Sequence, residues 1–189
     1  MIARALGLGP LVLASRSPQR RAILAQLGIP FTVVEPAYEE DDPPRADARA
    51  LALSHARGKA RAVEGKAVLG VDTVVALGDR VLAKPADEAE ADRFLRALSG
   101  RTHEVHCGLC LRVGGAEHEA VETTEVRFAQ LDDADIAWYL DSGEWRERAG
   151  GYAIQGRGAA LVERIDGDYT NVVGLPVSTL LRAMGNAVR

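Results

Sequence analysis

The chain has 189 residues, of which 47% are hydrophobic and 26% are charged, a balance typical of a globular protein rather than a disordered one. Its formal net charge of -4 disfavours nucleic acid as a partner, because proteins that bind duplexes usually carry a basic excess. No apolar run approaches the roughly 18 residues of a membrane span, the amino terminus lacks the pattern of a secretory signal, and two cysteines make no disulfide framework, so we expect a cytosolic protein with no membrane partner.

Strand and helix patterns alternate along the chain. The predicted strands cover residues 10–15, 31–35, 68–75, 80–82, 102–113, 117–128 and 159–165. The predicted helices cover residues 18–27, 47–63, 87–99, 132–140 and 177–184. Because hairpin turns at 78–79 and 114–115 occur beside helical crossovers, these elements predict an α/β fold with a mixed twisted sheet and flanking helices. We expect residues 1–189 to form a single domain.

The first candidate for chemistry is the loop 15–21, which joins a strand to the amino terminus of a helix. Free backbone N–H groups and the positive end of the helix dipole make such a place a natural phosphate site. Ser15 and Ser17 add hydroxyl groups, and Arg20 or Arg21 offers a bidentate fork for phosphate oxygens. The alternative interpretation is a capped helix with solvated arginines.

Asp72 is the second candidate, because it lies in the middle of an apolar strand. A buried carboxylate is costly unless it is paired or binds a metal, so this position favours a metal ligand or a general base. Lys84 follows the next hairpin and is expected to return to the same end of the sheet as Asp72. Lys59 lies beside the apolar stripe of its helix, and either lysine is equally typical of a solvated surface position.

Two further patterns carry less. The glycine-rich segment 150–158 lacks the spacing of a phosphate-binding fingerprint, although its Gln155 has an amide that can read a base edge. An apparent zinc motif is formed by His103, His106, Cys107 and Cys110. These four residues lie in a predicted strand, where alternation would place 103 and 107 on one face and 106 and 110 on the other, so we predict no zinc site there.

Taken in order, several of these segments resemble motifs of the Maf family. The segments are residues 13–21 (LASRSPQRR), 70–75 (GVDTVV), 84–85 (KP), 98–103 (LSGRTH), 149–156 (AGGYAIQG) and 167–176 (GDYTNVVGLP). The resemblance covers residues 11 to 184, and the ordered set is specific where each motif alone is weak.

The resemblance implies two lobes around a central cleft and a nucleotide pyrophosphatase that cuts between the α and β phosphates with a divalent metal, Mg²⁺ or Mn²⁺. It also implies a homodimer. Ser15, Ser17 and Arg20 match the phosphate-contacting loop of the family. Glu40, Lys59, Asp72 and Lys84 match its charged catalytic set, in which Asp72 accepts the proton and Asp72 and Glu40 hold the metal. Glu39 lies in the same acidic loop as Glu40 and remains an alternative ligand.

Thr73 and Gln155 match positions tied to base choice, and both resemble the branch of the family that acts on dTTP and UTP rather than on 7-methyl-GTP. Gln19 departs from that branch, which has arginine there, at a position associated with substrate choice. Arg21 is the neighbouring residue that would compensate. The alternatives are the same chemistry on a purine or modified nucleotide, or a nucleotide-binding regulator of cell division that does not hydrolyse its ligand.

Overall fold

The structure is a computed structural model that describes residues 6–40 and 46–188. Its strands are β1 (Leu11–Ala14), β2 (Phe31–Val34), β3 (Ala67–Leu77), β4 (Arg80–Leu82), β5 (Thr102–Val113), β6 (Ala116–Phe128) and β7 (Val162–Asp166). Its α-helices are α1 (Pro18–Gln26), α2 (Ala48–Arg61), α3 (Glu88–Leu98), α4 (Asp133–Asp141), α5 (Tyr169–Val173) and α6 (Val177–Ala187). Short 3₁₀ segments cover Leu6–Leu8, Ala149–Gly151 and Gly156–Leu161. Of the predicted acidic loop, positions 41–44 lie outside the described residues.

The seven strands form one mixed sheet in the order β2-β1-β3-β5-β6-β7, and β4 also pairs with β3. The β1–β2 and β1–β3 pairs are parallel, whereas the pairs formed by β4, β5, β6 and β7 are antiparallel, which confirms the predicted mixed α/β fold. On one edge of β3, β1 pairs as far as Gly70 and β4 pairs from Val75 onward. Within the described residues, positions 71–74 therefore have a strand partner, β5, on one side only.

The two largest hydrophobic cores of the described residues lie along the long strands β3 and β5. One contains Leu13, Leu24 and Leu69 and is covered by α1 and α6. The other contains Phe94 and Tyr139 and is covered by α3 and α4. This division agrees with the expected two lobes, and the unpaired stretch of β3 lies where one core gives way to the other.

Helix α2 lies directly on the sheet because two strand residues facing it are glycines. A Cβ atom added at Gly70 would meet the carbonyl oxygen of Ala56, and one added at Gly108 would meet that of Ala52. The added Cβ atoms would also lie 2.6 Å from backbone nitrogen atoms of the helix. Since cores tolerate little added volume, this close approach fixes the height of α2 above β3 and β5.

The sequence patterns misplace several details. The predicted strand 159–165 begins only at Val162, because the preceding residues form a 3₁₀ turn, and helix α5 is not predicted at all. At the start of α3, Asp87 accepts from the N–H of Glu90, as in a capping box. The box is only half formed, because the carboxylate of Glu90 accepts from the N–H of Ala86 rather than from that of Asp87. Among the described residues, no helix combines the length and hydropathy that crossing a bilayer requires.

Candidate active site

A cavity of about 520 Å³ opens over residues 71–74 of β3, which have a strand partner on one side only, and it lies between the two cores. One wall is formed by the loop 15–20 that leads into α1 and by residues 172–174. The other wall is formed by Lys84 and residues 147–149, with Tyr152. Its floor carries Asp72 and Thr73 of β3, and Lys59 enters from α2. Most of the predicted site residues are therefore brought together in one place.

Three charged side chains converge at the centre of this cavity. The ammonium group of Lys59 lies 2.5 Å from Asp72 Oδ1 and 2.5 Å from Glu40 Oε1. The side chains of Lys59 and Asp72 are each only 11% exposed, so neither charge is well solvated. The buried carboxylate of Asp72 is thus paired, as a carboxylate inside an apolar strand must be.

The acidic loop contributes Glu40 rather than Glu39. Glu40 lines the cavity and pairs with Lys59, whereas Glu39 is absent from the lining. Burial acts to raise the pKa of Glu40, but the hydrogen bond and charge of Lys59, helped by the charges of Lys84 and His55, outweigh burial and lower that pKa below its ordinary value of 4.5. Lys84 lies after β4 and reaches the same cavity as Asp72, as the hairpin predicts.

The serine-rich loop has the geometry of a capped helix. Ser17 is the N-cap residue of α1, where its hydroxyl accepts from the N–H of Arg20 at 3.4 Å, and Pro18 follows in the first turn. The hydroxyl of Ser15 accepts from the N–H of Ser17 at 3.2 Å. Both serines line the cavity, so the amino terminus of α1, the positive end of the helix dipole, faces the cavity.

Arg20 lies in the wall of the cavity and is 7% exposed. Its guanidinium donates to Ser15 Oγ at 2.9 Å and to Thr73 Oγ1 at 3.0 Å. It also donates to the carbonyl oxygen of Gly174 at 2.9 Å. These bonds join the loop, β3 and the end of α5, so in this structure Arg20 positions the residues of the site, and its fork is occupied by protein oxygens.

The three residues expected to govern base choice lie in different surroundings. Thr73 lies on the cavity floor and is held by Arg20. Gln19 lies in the cavity wall, where its carbonyl oxygen accepts from Arg148 Nη1 at 2.7 Å. Gln155 is exposed and is not among the lining residues, so its role in base choice stays a prediction. Arg21, the expected substitute for an arginine at position 19, is also exposed and outside the lining.

The histidine and cysteine side chains of β5 divide between the two faces of the strand as predicted. His103 Nε2 lies 2.8 Å from the hydroxyl of Tyr152, whereas His106 Nδ1 lies 3.0 Å from Thr123 Oγ1. Burial lowers the pKa of His103 to about 4. Burial likewise raises the pKa of each thiol, Cys107 and Cys110, to about 11, so both remain protonated and unreactive at neutral pH.

A second acidic group lies away from the cavity. Cys110, Glu117 and Glu119 direct ligand atoms to within 4.8 Å of one another. Glu117, however, accepts two hydrogen bonds from Arg61, and Glu119 accepts two from Arg57. A cation would have to displace both arginines, so the pairs explain this cluster as a link between α2 and β6.

Tyr38 and Arg148 are polar lining residues that sequence reasoning missed. Tyr38 borders the cavity, and its hydroxyl lies 2.9 Å from His55 Nδ1 of α2. Arg148 borders it from the opposite wall. Neither stands out in the sequence, since Tyr38 is a lone aromatic residue beside an acidic loop and Arg148 is one of several charged residues before a glycine-rich segment.

Comparison with known proteins agrees with this geometry. A relative from Deinococcus radiodurans, 47% identical over 93% of this chain and 92% of its own length, is named dTTP/UTP pyrophosphatase. Relatives from Thermus thermophilus (50% identical, 91% of each chain) and Pyrococcus furiosus (42% identical, 91% of this chain and 92% of its own) have the same name. The family model described as Maf-like protein matches residues 10–187. Since that match includes the serine-rich loop 15–20, Asp72 and Lys84, which the fold gathers around one cavity, the chain belongs to the Maf family.

Proposed function

We propose that this chain hydrolyses the bond between the α and β phosphates of nucleoside triphosphates, with dTTP and UTP as its preferred substrates, and releases the nucleoside monophosphate and pyrophosphate. The observation that carries the proposal is the convergence of Lys59 on Asp72 and Glu40 beneath the serine-rich loop at the amino terminus of α1. The names of the relatives supply the substrate class.

Binding is a problem of charge, since a triphosphate carries about four negative charges and strong charge neutralisation is the main demand on such a site. One side of the cavity is bordered by the amino terminus of α1, where the helix dipole is positive, and by the hydroxyls of Ser15 and Ser17. Lys84 offers a cation from the other side. Phosphates held between these walls would lie over Asp72. Their negative charge would then attract the ammonium group of Lys59, which in this structure pairs with the carboxylates of Asp72 and Glu40.

Asp72 is the proton acceptor in this proposal. The attacking water forms a new P–O bond, the bridging P–O bond between the α and β phosphates breaks, and the water's proton passes to the Asp72 carboxylate. Lys59 fixes the orientation of that carboxylate through the contact at Oδ1. Such positioning of reactants supplies a large share of the rate enhancement in phosphoryl transfer.

The donor set at the centre of the cavity fits a hard divalent cation, Mg²⁺ or Mn²⁺. Asp72 and Glu40 both direct carboxylate oxygens at the ammonium group of Lys59. Hard divalent cations prefer oxygen ligands of this kind. Asp72 and Glu40 would hold the metal, and when bound it supplies neutralisation of the phosphate charge.

Pyrimidine preference rests on Thr73 in the cavity floor and on the names of the relatives. Gln19 is the feature that favours a wider or different choice of base, because the resemblance associates an arginine at its position with substrate choice. Single-domain organisation, a cytosolic location and a homodimer remain proposals from the sequence and the family.

Pyrophosphate release from dTTP, UTP, CTP, ATP, GTP and 7-methyl-GTP, with Mg²⁺ and with Mn²⁺, tests this function. We expect dTTP and UTP to be the best substrates and Asp72→Asn to lose at least ~100-fold in kcat, the usual scale for a general base. The matched control is Asp79→Asn, the same substitution in the exposed turn between β3 and β4. Bound nucleotide without any release would favour the regulator instead, and a folded Asp72→Asn with normal turnover would contradict the role of Asp72.

A further inference from the structure

We propose that Arg148 supplies a phosphate-binding cation to this cavity, where the loop has Gln19 in place of the arginine of the dTTP/UTP branch, and that Gln19 holds the Arg148 side chain in place. This inference rests on the proposed function, since it assigns part of the triphosphate site. It names a residue of the segment between α4 and the 3₁₀ turn Ala149–Gly151, which none of the sequence motifs includes.

The contact joins the two walls of the cavity. Arg148 Nη1 donates to Gln19 Oε1 at 2.7 Å, and the two residues are 129 positions apart in the chain. The same carbonyl oxygen accepts from Ser17 Oγ at 3.3 Å, so Gln19 links Arg148 to the N-cap residue of α1. Gln19 therefore serves as an acceptor, which an arginine at this position would not be.

Arg148 keeps an unused donor edge. Its Nε atom is buried and has no hydrogen-bond partner among the described residues, and a buried unpaired donor is costly. With Nη1 engaged by Gln19, the Nε–Nη2 edge is the one left for a ligand, and guanidinium edges bind phosphate oxygens through two parallel bonds. Arg148 lines the cavity, and a phosphate bound there would satisfy Nε once the guanidinium turns its Nε–Nη2 edge into the cavity.

The segment that carries Arg148 is held firmly on the far wall. Trp145 is buried in one of the two cores, and Gly150 N–H donates to the carbonyl oxygen of Ala83 at 3.1 Å, next to Lys84. Among the described residues, Glu147 is the non-glycine residue with a left-handed backbone, at φ 59°, and such conformations often accompany functional positions. The guanidinium is thus positioned by the fold.

Arg148 also supplies a positive charge to the cavity, which the loop lacks at position 19 because glutamine is neutral. Arg20 has its donors engaged by protein oxygens, and Arg21 is exposed and lies outside the cavity lining. Arg16 also lines the cavity, but its side chain is 75% exposed and pairs with Glu35 at 3.3 Å. Among the described arginines that line the cavity, Arg148 is the one with a buried donor that lacks a partner. An arginine at 19 would face Arg148 directly, so the two residues are expected to depend on each other.

Calorimetric binding of inorganic tripolyphosphate tests the inference without requiring turnover. We expect Arg148→Gln to weaken binding about 10- to 100-fold, the scale of a charge-assisted hydrogen bond, and to raise KM for the nucleotide more than it lowers kcat. The control is Arg146→Gln, in which a neighbouring arginine that stacks on Trp145 at 4.5 Å and lies outside the cavity lining is changed. Binding by Arg148→Gln within threefold of wild type would overturn the inference.

Two more variants distinguish a phosphate-binding role of Arg148 from a purely structural role, in which Arg148 only bridges the two walls of the cavity. If Arg148 acts only through its bond to Gln19, Gln19→Ala should weaken tripolyphosphate binding as much as Arg148→Gln. We expect a clearly smaller loss, because Gln19→Ala retains the cation, and equal losses would contradict the proposal. The exchanged pair Gln19→Arg with Arg148→Gln should regain at least tenfold over Arg148→Gln, and no regain would contradict the exchange of the cation between walls. Absence of pyrophosphate release by wild type would instead contradict the proposed function, while these binding results would still decide the role of Arg148.

Discussion

Replacing Lys59 with methionine should destabilise the fold as well as reduce activity. The substitution keeps an unbranched side chain but removes the cation that lies 2.5 Å from both Asp72 and Glu40. Because the Asp72 side chain is only 11% exposed, its carboxylate would be left buried without a partner. Removing one partner of a buried ion pair costs about 3–5 kcal/mol, and we expect the lower end, about 3 kcal/mol, since Glu40 is more accessible.

The cost should also depend on pH in a defined direction. Lys59 helps to lower the pKa of Glu40 below 4.5, so this pairing stabilises the folded chain above that pH and is lost as the pH falls through the lowered pKa. The difference in unfolding free energy between Lys59→Met and wild type should therefore be full at neutral pH and narrow as the pH falls below 4.5.

Urea unfolding at neutral pH and below pH 4.5 measures the loss of unfolding free energy caused by Lys59→Met. The matched control is Lys66→Met, the same substitution at an exposed lysine before β3. If Lys59→Met unfolds within about 0.5 kcal/mol of Lys66→Met, a difference typical of surface substitutions, the paired centre does not contribute to stability and the argument is wrong. A second variant, Lys59→Met with Asp72→Asn, should regain part of the loss, because it no longer buries an unpaired charge.

Gly108→Ala should lower the unfolding free energy by at least ~2 kcal/mol, because its Cβ would meet the carbonyl oxygen of Ala52 in α2, while Gly7→Ala, with open space around it, should change little; urea unfolding compares the two. His103→Gln should make the fold less sensitive to acid: the unfolded chain takes up a proton near pH 6.5 and the folded His103 only near 4, so wild type loses up to about 3 kcal/mol relative to the variant as the pH falls through that window. Denaturant titrations from pH 7 to pH 4 would show parallel curves if this histidine does not contribute. The thiols of Cys107 and Cys110, buried and with pKa raised to about 11, should react with a thiol reagent far more slowly in the native chain than in urea, and equal rates would contradict their burial.

The sequence predicts the centre of the site better than its walls. Asp72 is recognisable because a lone carboxylate in an apolar strand requires a partner, and Lys59 is on the helix that crosses that strand. Their meeting depends on Gly70 and Gly108, which let α2 lie on the sheet. The close approach of α2 to the sheet at these two glycines brings Lys59 within reach of Asp72.

Other features depend on contacts that no local pattern encodes. Arg20 is predicted as a phosphate clamp, but its guanidinium is engaged by Thr73 and Gly174, which are distant in sequence. Arg148 is inconspicuous because its significance arises only when the fold brings it to Gln19. The choice of Glu40 over Glu39 likewise requires the position of Lys59 in space.

The strand boundary at β7 shows the limit of periodicity. Alternating apolar residues predict a strand from 159, yet the glycine-rich approach forms a 3₁₀ turn until Leu161, and β7 pairs with β6 only after it. Helix α5 escaped prediction because it is five residues long, too short for an apolar period to repeat.

Phosphorus NMR of the purified chain incubated with dTTP and Mg²⁺ tests the central claim most directly, because it identifies the bond that is cut. The account predicts that dTMP and pyrophosphate appear together in equal amounts, and that Asp79→Asn yields the same products while Asp72→Asn yields almost none. Formation of dTDP and inorganic phosphate, or no change in a chain that binds the nucleotide, would contradict it.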